Sequence, residues 1–308
     1  MMNPIMHQLA LVKRELWEHK SIYVAPAAVA VVSVLVILTG YVFVKGYEGA
    51  VELGITAGQN VLGEAERRAA LMGFLVGNTA IYYFAAAILT IFYCLDALYA
   101  ERKNKSILFW RSLPITDAET VISKLLTALI AIPVVTWVVV IAAHLVTLLF
   151  VSLFVEIEGG SAFFMIWKSA PIFDVWAANL VAMLSLPIWY SPLIGWFLFV
   201  SAWTKRSPLL VGFLPLVVVP LLEYFILRTT FVRDAIQSRF DQMPLISGDK
   251  VIRIFDNHDF GNVSESFSLF DLISVPQFLA SPAMWAGVIV CALFCTAAIY
   301  VRRYRDDS

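Results

Sequence analysis

Two ionisable side chains, His144 and Glu223, lie inside long apolar runs, where a charge is costly and tends to mark function. A histidine and a carboxylate at membrane depth are parts of a proton relay, but a relay needs several such groups in series. The plainer reading makes His144 a neutral, hydrogen-bonded packing residue. It makes Glu223 a carboxylate one turn from the outer surface, hydrated or paired with Arg228. Cys291 and Cys295 stand four apart, the spacing that puts two thiols on one helical face for a metal or redox pair. With Cys94 they make an odd count in apolar runs, which reads instead as small, soft packing residues. The sequence contains no Gly-x4-Gly-Lys-Ser/Thr loop, no His-Glu-x-x-His helix and no Gly-x-Ser-x-Gly elbow. The chain by itself is therefore expected to be no enzyme and to hold no metal and no nucleotide.

These residues need a membrane scaffold to position them. The 308 residues are 60% hydrophobic and 15% charged, with net charge −1 and mean hydropathy +0.81. Soluble domains are about half apolar and a quarter charged. A soluble enzyme is excluded, and the balanced charge offers no field to nucleic acid. A spanning helix needs about 20 apolar residues. Runs free of Asp, Glu, Lys and Arg predict spans near 22–44, 69–95, 124–154, 174–203 and 283–301, with a shorter one, 209–226, carrying Glu223 near its end. The expected class is an all-α polytopic membrane protein, one transmembrane domain over 1–308. The first run is longer than the 7–15 apolar residues of a signal peptide, roughly the usual range, so it reads as an uncleaved span. With the N-terminus inside, 13 Lys and Arg fall on the inner side against 9 outside, which predicts both termini in the cytoplasm. Gly73-x3-Gly77 permits close helix approach, and Pro187, Pro192, Pro215 and Pro220 predict kinks or local unwinding in spans four and five.

The connections are more distinctive. Over 3–20, Ile5, Leu9, Val12 and Leu16 recur at helical spacing while Lys13, Arg14, Glu18 and Lys20 point elsewhere. That pattern suits an elbow helix in the inner interface, with Trp17 as anchor and membrane lipid as partner. Between spans two and three runs DALYAERKNKSILFWRSLPITDAET. Its charges predict that both flanking helices project beyond the bilayer. Ser106–Leu113 reads as a short apolar helix stopped by Pro114, and Thr116 with Glu119 as a capping box opening span three. The Ile107-Leu108-Phe109-Trp110 cluster needs a cover. The outer segment 227–282 is too long for an ordinary loop. Thr230–Phe240 reads as an interfacial helix with Phe231, Ala235 and Ile236 on one side. Leu245–Phe255 reads as a small hairpin, and Phe267–Leu279 as a stretch lying against the bilayer.

This arrangement resembles the permease subunit of an ABC-2 type exporter, most specifically from Glu101-Arg102 through Leu113-Pro114 to Lys124-Leu125. The resemblance implies a cytoplasmic coupling helix between spans two and three, docked on a separate ATP-binding subunit that holds ATP and Mg. Carried onto this sequence, the coupling interface would be Glu101, Arg102, Ser106, Leu108, Phe109, Trp110, Arg111 and Glu119. It also implies a second permease copy, identical or a paralogue, in a bacterial inner membrane, with access alternating across a path between the two. The alternative is a secondary transporter or channel not coupled to ATP. That class would show inverted repeats or clustered intramembrane charges, and neither is visible. The outer segment is longer and more charged than the family pattern.

Overall fold

The computed structural model describes residues 4–47, 49–105, 115–245 and 268–304. Within them the chain is helical, with no β-strand and six helices long and apolar enough to cross a membrane. Helix α1, Pro4–Glu18, is followed by α2, Ser21–Lys45, which is span one. The short α3, Ala50–Thr56, and a π-turn at Ala57–Val61 lead into α4, Glu64–Ala97, which with α5, Tyr99–Lys103, makes span two. Span three is α6, Asp117–Leu126, a π-turn at Thr127–Ala131, and α7, Ile132–Ile157. Span four is broken into α8, Ile172–Trp189, and α9, Ser191–Trp203. Span five is α10, Pro208–Leu222, widening into a π-turn at Glu223–Leu227. Helices α11, Phe231–Asp241, and α12, Val275–Ala280, precede span six, α13, Pro282–Tyr304.

Spans two and three outrun the apolar runs that predict them. They are 40 and 41 residues long, about 60 Å each at 1.5 Å per residue, against a hydrocarbon core of about 30 Å. Charged residues end an apolar run without ending a helix, so both helices carry their charged turns beyond the bilayer, as the connection's composition predicts. Span three starts at the expected capping box: Thr116 Oγ1 accepts from the Glu119 N–H at 3.2 Å, and Glu119 Oε2 accepts from the Thr116 N–H at 2.8 Å. The break in span four falls at Tyr190, between Pro187 inside α8 and Pro192 in the first turn of α9, because two missing N–H donors leave the ladder open there. In span five Pro215 and Pro220 stay within the helix. The hairpin over 245–255 and the short helix over 106–113 fall, beyond Leu245, outside the described residues.

Two ends of the bundle are chemically distinct. The basic end gathers Lys20, Arg102, Lys124 and Arg302, and the half nearest it holds the main core, where Tyr93, Val121, Phe197, Leu198, Cys295 and Ala298 are buried together. At the far end Leu75, Leu148, Ile166 and Val175 form a second core, and Tyr41 and Lys45 of span one both hydrogen-bond Glu158 beyond span three. Cys94, Cys291 and Cys295 are free and buried. The closest helix pair is α9 with span six. A Cβ on Gly195 would lie 2.9 Å from the Cys291 Cα and 3.0 Å from its carbonyl oxygen, so only glycine admits this approach. Gly195→Leu should force the two helices apart and cost about 1–3 kcal/mol, read as a lower melting temperature of the purified protein. Gly77→Leu, where a Cβ meets nothing within 4 Å, is the control expected to leave it unchanged.

Candidate coupling site at the basic end

Helix α1 turns Leu11 and Glu15, one helical turn apart, into the protein and leaves Ile5, Leu9 and Trp17 exposed. Leu16 is half-buried against the main core and Val12 is half-buried too. The buried stripe lies on α6 and the π-turn after it, where Val121 and Lys124 of the helix and Ala128 of the turn face inward. A lysine on such a stripe must find carboxylates, since an unpaired buried charge costs several kcal/mol. Lys124 Nζ donates to both oxygens of Glu15 at 3.0 Å and stands 2.9 Å from Glu101 Oε1. Tyr93 of span two donates its hydroxyl to Glu15 Oε2 at 2.9 Å.

Glu101, on α5, is the hub. Its second oxygen accepts from Arg302 of span six at 2.6 Å, and Arg302 Nε reaches Asp117 Oδ1 at 2.8 Å. Arg14 stands 3.4 Å from Glu101 Oε1 and also pairs with Glu18 at 2.9 Å. Glu15, Glu101 and Asp117 thus meet Arg14, Lys124 and Arg302, and Glu15 and Lys124 are fully buried. Burial holds the His19 imidazole below its ordinary range, so it adds no charge at neutral pH. The cluster joins α1, the end of span two, the start of span three and the end of span six.

The other sequence-predicted site residues divide. Arg102 donates to the Ser201 and Thr204 carbonyls at 2.5 and 2.8 Å, closing the C-terminus of α9 as a cation should. Ser201 Oγ in turn accepts from the Leu98 and Tyr99 N–H groups at 3.0 and 2.9 Å, bridging the break between α4 and α5. Glu119 caps α6 and stands 3.2 Å from His7. Glu101 faces the interior and not an outer surface. Ser106, Leu108, Phe109, Trp110 and Arg111 lie outside the described residues. Glu15 was missed, Arg302 read only as a topological charge, and Lys124 as a topological charge and the end of the resembling stretch. The available signal was a lone ionisable residue on an apolar stripe: Glu15 one turn after Leu11, and Lys124 between Val121 and Ala128.

The two intramembrane candidates take structural roles. His144 is fully buried; its Nδ1 accepts from the Trp176 indole at 3.3 Å and its Nε2 lies 3.3 Å from Thr79 Oγ1. Because Thr79 donates its own proton to the Leu75 carbonyl, the arrangement needs a neutral imidazole protonated at Nε2. Glu223 takes backbone and hydroxyl partners, and no ion pair joins it to Arg228 among the described residues. Its oxygens accept from the Phe231 and Val232 N–H groups, each at 2.8 Å, and from Thr229 Oγ1 at 2.9 Å. It is the cap of α11, one of the best uses of a carboxylate near a helix start. Among the described residues no group of His, Cys, Asp and Glu could hold a metal ion.

A family model described as ABC-2 family transporter protein matches residues 69–219. This match, over just under half of the chain, supports an ABC-2 type permease. No curated relative and no solved structure matches the chain. The matched stretch runs from span two into span five and includes Glu101, Asp117 and Lys124, whereas Glu15 and Arg302 come from α1 and span six, outside it. Removing Lys124 leaves two carboxylates without their shared cation. Lys124→Met should destabilise the permease by about 3–5 kcal/mol, measured by thermal unfolding in detergent. Lys20→Met, at an exposed position, should stay within about 0.5 kcal/mol.

Proposed function

We propose that this chain is the membrane subunit of an ATP-driven exporter, with its basic end in the cytoplasm of a bacterial inner membrane. A separate ATP-binding subunit, holding ATP and Mg, docks on the segment 101–119, and two permease copies flank the transport path. The observation that carries this reading is the buried ion cluster. Both helices that flank 106–114 enter it, through Glu101 on one side and Asp117 and Lys124 on the other. A push on that segment therefore acts at once on the elbow, on spans two and three and, through Arg302, on span six. Paired buried charges resist small distortions and shift as a unit, which suits a part that converts subunit closure into rocking of the span bundle. The exposed face of α1, with Ile5, Leu9 and Trp17 outward, suits an elbow resting on lipid. The family match supports an ATP-binding partner in general.

Two measurements test the reading. Phe109→Ala and Trp110→Ala should each weaken binding of the ATP-binding subunit by about 2 kcal/mol or more if these rings are interface anchors, with insertion and expression intact. Unchanged co-purification would remove the docking segment from this place. Single cysteines at Gly46 and Ser247 should react with an impermeant thiol reagent on intact cells, and one at Ser112 should not. Labelling at Ser112 would reverse the topology.

A further inference from the structure

Span five is held differently from its neighbours. Of α10, only Gly212 is buried, of the following π-turn only Glu223, and of α11 no residue at all. Gly212 is the close contact: its carbonyl accepts from Trp196 Nε1 at 2.9 Å, and a Cβ there would sit 2.9 Å from Leu95 and 3.3 Å from Phe197. Val211 and Leu216 lie half-buried beside it. Above it Leu214, Val217, Leu221 and Phe225 are exposed. At the far end Glu223 caps α11 through two backbone N–H groups and Thr229, so span five and α11 are joined without any apolar core of their own.

The other end of α11 is fastened by Arg239 and, four residues past the helix, by Leu245, which is buried with Trp189, Phe278 and Met284 and accepts from the Ser274 N–H at 2.8 Å. Arg239 donates to the Ala283 carbonyl at 2.7 Å, reaches the Trp189 carbonyl at 3.4 Å, and stacks 4.7 Å over the Trp189 ring. Trp189 Nε1 donates back to the Arg239 carbonyl at 2.7 Å. The niche exists because residue 287 is glycine; a Cβ there would meet the guanidinium at 2.9 Å. Trp189 is the last residue of α8, so Arg239 covers the open carbonyl end at the break in span four. Tyr190 and Phe240 add one ring contact at 5.6 Å.

We propose that span five and α11 form one lever that pivots at Gly212 and is latched at Arg239 against the break in span four and the start of span six. In lipid no hydrophobic drive presses one helix on another, so α11 itself, with no buried residue, is positioned by the Glu223 cap and the Arg239 latch, and the chain after it by Leu245 in its small core. Release of Arg239 exposes no buried apolar residue of α11 and leaves Leu245 as the tether about which the helix swings, as in a hinge. The lever does not depend on the exporter reading. Its use does: in an exporter the latch would gate the far side of the path.

The test uses the full chain in nanodiscs, without any ATP-binding subunit, with spin labels on introduced cysteines diluted by unlabelled chain. One pair, at Phe225 and Val76, reports the far side of Gly212, and a second, at Leu209 and Phe92, reports the basic side. Gly287→Leu fills the niche, and Arg239→Gln removes the guanidinium without adding bulk should the first fail to fold. Either variant should add a population with a longer 225–76 distance while the 209–92 distance stays or shortens. An unchanged 225–76 distribution overturns the latch. Equal lengthening of both pairs overturns the pivot. Failure of the exporter reading would leave all of these distances as they are.

Discussion

A single buried lysine organises the basic end. Lys124 has no accessible surface and three carboxylate oxygens around it, two from Glu15 and one from Glu101. Desolvating that many charges is tolerable only when every partner is in place, so α1 cannot leave and α5 cannot turn without stranding a charge. The remaining contacts of the junction follow from this demand. Glu101 needs a second cation for its other oxygen and takes Arg302; Arg302 needs a second acceptor and takes Asp117. Elements distant in sequence are thereby held at one point, directly beside the segment 106–114.

The far end solves the same problem of polar groups at the edge of an apolar bundle with less material. Two of its carboxylates serve as helix caps. Glu223 closes the start of α11, and Asp174, in the first turn of α8, accepts from the Ser268 hydroxyl and from the Leu269 N–H at 2.9 Å. Each cap serves a few donors and commits one acid, where the basic end commits three acids and three bases to one cluster. The difference is one of stiffness. A capped helix can swing about its cap, but a shared lysine cannot be left by one partner without penalty to the other.

Much of the fold was legible because the bilayer imposes a length on every apolar run. The six spans, the α11 helix and the Thr116–Glu119 capping box all follow from local pattern. That spans two and three outrun their apolar runs was legible in the charges of the connection, but not where span two stops, since charges mark where lipid stops and not where a helix stops. The ion cluster was half visible. Glu101 stood out by resemblance, yet its direction, inward to Lys124, depends on a contact between residues 101 and 124 that no local pattern encodes. Glu15 was not singled out at all, because only the docking of α1 on α6 decides which face of an amphipathic helix is inside. Glu223 was found as an anomaly and read as hydrated or paired with Arg228; its backbone partners were not visible, because an N–H is a partner the side-chain sequence does not display.

The interior between the two ends explains why a push on one side need not dissipate. Ser33 of span one bonds Tyr82 of span two at 2.9 Å, and Tyr83 bonds Asn179 of span four at 2.9 Å. Trp137 of span three donates to the Trp176 carbonyl at 2.8 Å, and His144 links Thr79 to Trp176. In a medium without competing water, such bonds tie helices that apolar packing alone would leave free to slide. Spans one to four are therefore laced side to side, by groups that a change of register would orphan. Span five is excluded from this lacing. Its one side-chain hydrogen bond to another span is Trp196 to Gly212, among the described residues. Span five instead leans on the main core through Val211 and Leu216 and on Phe197 through the Phe213 ring at 5.3 Å, contacts that a change of register would loosen without orphaning a polar group.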